Sequence, residues 1–184
     1  MKYLVIDATT RKESRTKKLY QEYIKDIKGD INIINLYDLN MKPYNEEMLN
    51  KRDDFIFKND YKDKMFDLAK QFKDSDYIIV AAPYWDKSFP AILKIYFENI
   101  SVNGLTFGYG PNGQQGLCKA KCFTYLTTCG GFVKHNIGYD LTKDFFEMLG
   151  IKESKYFQID GLDIDPSKVD EIFINKMKEL KGIK

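Results

Sequence analysis

The chain has 184 residues, of which 43% are hydrophobic and 30% are charged. This length predicts a single domain over residues 1–184, with a core large enough to need neither a disulfide nor a structural metal. There are 29 Lys and Arg residues against 27 Asp and Glu, and this near-balance (+2) argues against a nucleic-acid-binding protein. One His and three Cys without CxxC spacing argue against a metal site and a disulfide framework.

The start of the chain carries an apolar run of only four residues, Tyr3 to Ile6. Such a run is shorter than the core of a signal peptide, and no segment approaches the ~20 apolar residues of a membrane span. We therefore expect a cytoplasmic protein that does not bind membranes. Its three cysteines, Cys118, Cys122 and Cys129, are expected to be reduced thiols.

Strand and helix patterns alternate along the chain. Apolar residues at a spacing of four predict a helix over Arg15 to Lys28. The continuous apolar run from Tyr77 to Ala82 is typical of a strand in a covered parallel sheet. The predicted strands are Lys2 to Asp7, Asp30 to Leu36, Tyr77 to Ala82, Ala120 to Thr127 and Lys155 to Ile159. The predicted helices are Arg15 to Lys28, Tyr61 to Phe72, Phe89 to Ile100, Gly138 to Leu149 and a last helix capped by Asp165.

Five strands in alternation with five helices predict an α/β fold of three layers, in which helices cover both faces of a parallel sheet. For five strands the expected order is 2-1-3-4-5, which is the flavodoxin-like order. The polar stretch 37–59 is too long for a plain connection. It is predicted to contain a short helix over Glu46 to Phe57 and to serve as a lid or an interface element.

Ligands of an open parallel sheet bind beyond the carboxyl ends of the strands, at the switch point between strands 1 and 3. Three loops meet there, and the first is 7–14. Ser14 is a good N-cap, but Arg15, Lys17 and Lys18 make the following turn basic, which is the wrong sign for the helix dipole. This favours a bound anion, held by backbone N–H groups, hydroxyls and Arg15. The alternative is a capped helix with a solvated basic face.

The other two loops also have unusual residues. Tyr84 and Trp85, the only Trp, lie in loop 83–88 and suit a flat heterocycle, or alternatively a core or dimer contact. In loop 128–137, Gly130 and Gly131 permit close approach of a ligand to the backbone. An ordinary glycine turn is the alternative.

Two further features of the sequence do not indicate a functional site. The segment from Gly108 to Gly113 fits GxGxxG, but it follows a helix and has Pro111 where a dinucleotide-binding helix would begin. It is predicted to be a turn-rich loop near the rim of the site, with Phe107, Tyr109 and Phe132 around that rim. His135 is predicted to be a surface or rim residue, and the chain has no GxSxG motif for a Ser-His-Asp site.

Several segments resemble the flavodoxin-like NAD(P)H-dependent oxidoreductases, which include FMN-dependent NADH azoreductases and NAD(P)H quinone reductases. They are Arg11 to Leu19, Ala82 to Phe97, and Gly104 to Phe107 with the later pairs Gly116-Leu117 and Gly130-Gly131. The middle segment is the most specific of them. The resemblance covers residues 2–160, and its strength lies in the order, spacing and strand-end positions of the motifs.

The resemblance implies noncovalent FMN as cofactor and NADH or NADPH as electron donor. The FMN-binding residues that it implies are Thr9, Arg11, Ser14, Arg15 and Thr16 in the phosphate loop, Pro83, Tyr84, Trp85, Asp86 and Lys87 along the ring and ribityl chain, and Thr128, Cys129, Gly130 and Gly131 on the pyrimidine side. It also implies a homodimer with the two FMN sites at the interface, and we expect a second copy to cover the flavin rather than loop 37–59 or loop 102–117.

The implied reaction passes a hydride from NAD(P)H through the flavin to a quinone, azo or nitro aromatic acceptor in a ping-pong scheme. The cofactor carries the chemistry, so no catalytic side chain is assigned. Many relatives have Tyr-Asn-Phe where this chain has Trp85, Asp86 and Lys87. An ionised Asp accepts hydrogen bonds but cannot donate them, as Asn can. We therefore do not expect the redox potential of the flavin to follow that of those relatives. The alternative function is a flavodoxin electron carrier, which the charge of +2 disfavours.

Overall fold

The structure is a computed structural model that describes residues 1–180. Its strands are β1 (Lys2–Asp7), β2 (Asp30–Asn35), β3 (Tyr77–Ala81), β4 (Phe107–Gly110), β5 (Gly113–Gly116), β6 (Cys122–Thr128) and β7 (Glu153–Ile159). Its α-helices are α1 (Arg15–Ile24), α2 (Glu46–Phe57), α3 (Asp67–Lys73), α4 (Ala91–Ile100), α5 (Ile137–Met148) and α6 (Val169–Leu180). Short 3-10 turns cover Leu36–Asp38, Lys64–Phe66 and Pro166–Lys168. Within the described chain, no helix is long and apolar enough to cross a membrane.

The central sheet has five parallel strands in the order β2-β1-β3-β6-β7. This confirms the predicted order 2-1-3-4-5, since β4 and β5 form a separate two-stranded sheet. Alternate residues of each buried strand point to opposite faces, so both faces need a cover of helices. Leu4 and Ile6 of β1 pack in the core under α3, α4 and α5, whereas Val5 packs in the core under α1 and α6.

Much of the aromatic content fills the core under α3, α4 and α5. The ring of Phe146 lies 5.1 Å from that of Phe72, 5.6 Å from that of Phe97 and 4.9 Å from that of Phe123, each edge to face. Edge-to-face rings at this separation are a favourable aromatic geometry. The excess of Phe and Tyr in the composition is thus largely a packing feature.

Two of the predicted helices differ from the structure by four residues or more at one end. Helix α1 ends at Ile24 rather than Lys28. Helix α3 begins at Asp67 rather than Tyr61, because the side chain of Asp63 accepts from the Met65 N–H (2.9 Å) and starts a 3-10 turn before it. The short helix predicted over Glu46 to Phe57 is confirmed with the same bounds as α2, which is capped by the side chain of Asn45.

The hairpin β4–β5 was not predicted, and its position corrects the expectation for the segment around Gly108. A Cβ on Gly116 would overlap the backbone of Leu149 and Gly150, so the hairpin packs at the C-terminal end of α5. That end lies at the edge of the sheet opposite to the carboxyl ends of the strands. The prediction that Phe107 and Tyr109 surround the rim of the site is therefore wrong.

Candidate functional site

The loops after β1, β3, β6 and β7 converge at one edge of the sheet. The parallel register places Asp7 beside Ala81 and Thr128 beside Ile159, and it ends the four strands at nearly the same level. Beyond them lies a cavity of about 370 Å³. Its lining residues are Thr10, Arg11, Glu13, Ser14, Arg15, Thr16, Pro83, Tyr84, Trp85, Thr128, Cys129, Gly130, Leu162 and Asp163.

Most residues predicted from the three loops line this cavity. Asp86, Lys87 and Gly131 instead line a neighbouring cavity of about 650 Å³, which shares Tyr84 with the first. Thr9 lines neither cavity and is buried. Phe132 and His135 line the second cavity, as expected for residues near the rim. The predicted residues thus divide into two adjoining cavities rather than one.

The first turn of α1 forms one end of the cavity. The hydroxyl of Ser14 caps the helix by accepting from the Lys17 N–H (3.3 Å), and no acidic residue occupies the first turn. The N–H groups of Arg15 and Thr16 belong to the same turn, where the helix itself offers no acceptor. This end of the cavity therefore combines backbone donors, hydroxyls and the Arg15 guanidinium, a set that suits a phosphate group.

A buried carboxylate supports the loop before α1. Asp7 is 1% exposed, and its side chain accepts from the Thr9 N–H (2.8 Å), the Tyr20 hydroxyl (3.0 Å) and the Asn35 amide (3.3 Å). Burial first, and the neighbouring Asp7 carboxylate second, raise the pKa of Tyr20, so its hydroxyl remains a donor. The Asn35 amide also donates to the Thr9 carbonyl (3.2 Å). These bonds fix the backbone as it leaves β1.

The loop after β3 carries its two aromatic residues on a tight turn. Trp85 and Ser88 exchange two backbone hydrogen bonds (3.1 and 2.8 Å), with Asp86 and Lys87 between them. Both of these residues have positive φ, 49° and 70°. This is the pattern of a two-residue hairpin turn that favours Asn and Gly, so here it is strained. The turn holds Trp85, which is 37% exposed, at the mouth of the cavity.

The loop after β7 forms a wall that the sequence analysis missed. The N–H of Leu162 donates to the Cys129 carbonyl (3.2 Å), and that of Asp163 donates to the Gly130 carbonyl (2.8 Å). A Cβ on Gly130 would overlap the carboxylate of Asp163, so the glycine permits this close approach. Leu162 and Asp163 follow a predicted strand of the same sheet. Ligands bind beyond the carboxyl ends of parallel strands, so the same rule applied to the fifth strand predicts that these two residues line the site.

Cys129 lies in the site as a neutral thiol. It is 2% exposed, and burial raises the pKa of its thiol to about 12, with Asp160 as a smaller cause. Because the thiolate is the nucleophilic form, Cys129 is a lining group rather than a reactive one.

A comparison with family models matches residues 1–182 to a family described as having a flavodoxin-like fold. Among curated proteins, an "FMN-dependent NADH:quinone oxidoreductase" of Clostridium perfringens (strain ATCC 13124) is 30% identical over 177 residues, covering 92% of this chain and 89% of the relative. An "FMN-dependent NADH:quinone oxidoreductase 2" of Clostridium acetobutylicum is 30% identical over 194 residues, covering 98% and 96%.

Solved structures show the same fold at lower sequence identity. An azoreductase from Bacillus anthracis superposes with a TM-score of 0.81 at 20% identity, covering 97% of this chain and 96% of that one. An FMN-dependent NADH-azoreductase from Bacillus anthracis, in complex with FMN, superposes with a TM-score of 0.76 at 19% identity, covering 98% and 97%.

Proposed function

This chain belongs to the flavodoxin-like family that includes the FMN-dependent NADH:quinone oxidoreductases, and on that premise we propose that it is an FMN-dependent NAD(P)H oxidoreductase. Its electron acceptors are quinones and azo or nitro aromatic compounds. The observation that carries the proposal is the single cavity in which a basic helix N-terminus, an aromatic turn and a glycine loop meet.

The residues of this cavity fit FMN. One end of the cavity offers the unpaired backbone N–H groups of the first turn of α1 and the Arg15 guanidinium, a donor set that suits the phosphate of FMN. In the adjoining cavity, a Cβ on Gly131 would have no atom within 4 Å, so a ring that extends from the first cavity has open space beside this backbone. The polar end and the aromatic end of the cavity match the phosphate and the ring of one molecule.

Each wall of the cavity has its own task in this proposal. Ser14, Arg15 and Thr16 hold the phosphate, and Arg11 adds a second cation at the mouth. Pro83 to Trp85 lie along the ring and ribityl chain, and Thr128 to Gly130 lie on the pyrimidine side, where backbone groups bond the ring. Asp86, Lys87 and Gly131 lie at the end of the ring that borders the second cavity. When bound, FMN supplies the redox chemistry, by accepting a hydride from NAD(P)H and passing two electrons to the acceptor.

The protein's share of the reaction is position and exclusion of water rather than proton transfer. Cys129 remains protonated because of its burial. Tyr84 lines both cavities, so a donor or acceptor in the second cavity lies next to a ring held in the first. The second cavity is therefore the proposed place for the nicotinamide and for the acceptor.

We also propose that the protein is a homodimer whose second copy covers this edge of the sheet. Exposed apolar side chains lie beside the second cavity: Phe132 is 75% exposed, Ile137 is 52% exposed and Leu141, one turn further along α5, is 39% exposed. Such clustered exposure is typical of interaction surfaces. Sedimentation of the purified protein over a range of concentrations tests this, and a monomer at all concentrations would contradict it.

The test of the main proposal is the absorption spectrum of the purified protein, before and after anaerobic addition of NADH, followed by steady-state turnover with a quinone. A flavin spectrum that bleaches with NADH and supports quinone reduction is expected. Protein that neither carries nor binds FMN contradicts the proposal. Bound flavin without NAD(P)H turnover would indicate an electron carrier instead.

Two substitutions sharpen this test. Arg15→Gln should weaken FMN binding about tenfold, because a hydrogen bond to a charged group is worth about 1.5–3 kcal/mol. Riboflavin, which lacks the phosphate, should bind to this variant as it does to the original protein. Lys28→Gln removes the same charge from an exposed position beyond α1 and is the matched control.

A further inference from the structure

An ion pair crosses the proposed phosphate end of the cavity. Nη1 of Arg15, in the first turn of α1, lies 2.7 Å from Oδ1 of Asp163, which follows β7. Both residues line the same cavity. The cation expected to bind an external anion is therefore already paired with a carboxylate of the chain.

The backbone of Asp163 is held by its own loop, which brings the carboxylate within reach of Arg15. The Asp163 N–H donates to the Gly130 carbonyl, and the carboxylate lies where a side chain at Gly130 would be. Gly161, with φ of 72°, turns the chain just before it and donates to the Gly131 carbonyl (3.1 Å). The loop after β7 thus holds a negative charge over the glycine loop, within the cavity.

This ion pair contributes little to the stability of the fold. The side chains of Arg15 and Asp163 are 38% and 70% exposed, and ion pairs between exposed side chains are weak because water screens them. Its main effect is instead on the binding of an anion by Arg15. A guanidinium has a planar set of donors that matches a phosphate as well as it matches a carboxylate. A phosphate at this end of the cavity would therefore compete with Asp163 for the N–H groups of Nη1.

We propose that Asp163 is an internal competitor for the phosphate, which exchanges with it for Arg15 and so sets the affinity for FMN. In the absence of phosphate, Asp163 neutralises the guanidinium and holds it at the helix terminus. On binding, the dianionic phosphate takes the place of the carboxylate, which moves out to solvent. This inference rests on the proposed function, since it takes the phosphate of FMN as the exchanging group.

The experiment compares the original protein with Asp163→Asn, and measures the dissociation constants of FMN and riboflavin at low and high salt. The neutral amide should tighten FMN binding about two- to fivefold, the equivalent of a pair worth up to about 1 kcal/mol. Riboflavin binding should not change. Asp144→Asn, on the exposed face of α5, removes the same charge elsewhere and should change neither constant.

Weaker binding of both flavins to Asp163→Asn would overturn the proposal, because it would mean that Asp163 accepts hydrogen bonds from the ribityl chain. Unchanged FMN binding would overturn it as well. The same substitution in an Arg15→Gln background should give a smaller gain. An equal gain would indicate plain repulsion of the phosphate rather than exchange at Arg15, which also contradicts the proposal.

An arm with inorganic phosphate separates this inference from the proposed function. Phosphate should raise the melting temperature of Asp163→Asn more than that of the original protein or of Asp144→Asn, since ligand binding to the native state stabilises it. If neither protein binds a flavin but this difference is seen, the proposed function fails and the exchange at Arg15 stands. If flavins bind but the difference is absent, the exchange fails alone.

Discussion

The hydroxyl oxygens of Thr16 and Thr128 lie 2.6 Å apart, so the first turn of α1 is hydrogen-bonded to the last residue of β6. Thr16 is fully buried and Thr128 is 9% exposed. Because only one of the two hydroxyls donates in this bond, the other keeps a proton that can be directed into the cavity. The pair therefore joins two walls of the site and also presents a donor to a ligand.

Replacement of one partner should leave the other without a hydrogen bond. We expect Thr16→Val to lower the free energy of unfolding by about 1–2 kcal/mol, since a buried hydroxyl then lacks a partner. Urea unfolding measures this. Thr128→Val should cost a similar amount, and the double variant should cost less than the sum of the two. Strict additivity would show that the two hydroxyls are not coupled.

The buried carboxylate below the phosphate loop gives a second prediction. Tyr20→Phe removes the donor that lies 3.0 Å from Asp7, and a hydrogen bond to a charged group contributes about 1.5–3 kcal/mol. The loss should be seen in urea unfolding. Tyr37→Phe, at a residue that is 42% exposed, is the control and should cost less than about 0.5 kcal/mol. If the loss of unfolding free energy at Tyr20 is no larger than at Tyr37, the hydrogen bond from Tyr20 to Asp7 does not stabilise the fold.

The strained turn after β3 predicts a stabilising substitution. Lys87 has φ of 70°, a conformation that glycine adopts without the cost of about 1–2 kcal/mol that a side chain incurs. Lys87→Gly should therefore raise the free energy of unfolding by about 1 kcal/mol, partly offset by the greater freedom of glycine in the unfolded chain. Lys87→Ala keeps the strain and should give no gain. Equal effects of the two would rule out relief of strain.

The contact between the hairpin and α5 predicts a difference between two glycines. Gly116→Ala should cost about 1–3 kcal/mol, because the new Cβ overlaps the backbone around Gly150, which cannot rotate away as a side chain can. Gly108→Ala, in the other strand of the hairpin, would meet only Leu117 at 3.5 Å and should be tolerated. Thermal unfolding of both variants checks this. Equal melting temperatures would show that the contact between Gly116 and the end of α5 is looser than in the structure.

Buried thiols and phenols predict a loss of stability at alkaline pH. Burial raises the pKa of Cys118, Cys129 and Tyr156 to about 12 in each case. Each group ionises more readily in the unfolded chain. Its contribution to the free energy of unfolding is therefore complete below the unfolded pKa and is lost as the pH rises towards 12. The free energy of unfolding should therefore fall from about pH 8.5, where exposed thiols titrate. Cys129→Ala should show a shallower fall, and an unchanged slope would contradict the assignment.

The sheet and most of the site could be predicted from the sequence for one physical reason. The inner strands β1, β3 and β6 are covered on both faces, so they appear as apolar runs such as Ile78 to Ala81, and parallel strands bring their carboxyl ends to one edge. That rule places Arg15, Trp85 and Gly130 together from the sequence alone. It identifies loops rather than side-chain directions, so it does not show that Asp86 and Lys87 line a separate cavity.

The remaining differences arise from contacts that are distant in sequence. The hairpin β4–β5 lacks apolar alternation, since its strands contain four glycines in eight residues, and it is held by packing against α5. The sequence around Ile24 contains no strong helix-stop signal, so the early end of α1 could not be predicted either. The part played by Asp163 depends on a pair that spans 148 positions in the chain, which no local pattern records.

The parallel register of the sheet has a consequence for how this site can vary. Thr128 is the last residue of β6 and is paired with Ile159, so its side chain faces α1 only because the alternation of the strand brings it there. An insertion of one residue within β6 would turn Thr128 to the opposite face of the sheet, towards α5. An insertion in the loop before β6 would leave it in place. The face to which Thr128 points therefore depends on the length of β6 and not on the length of the loop before it.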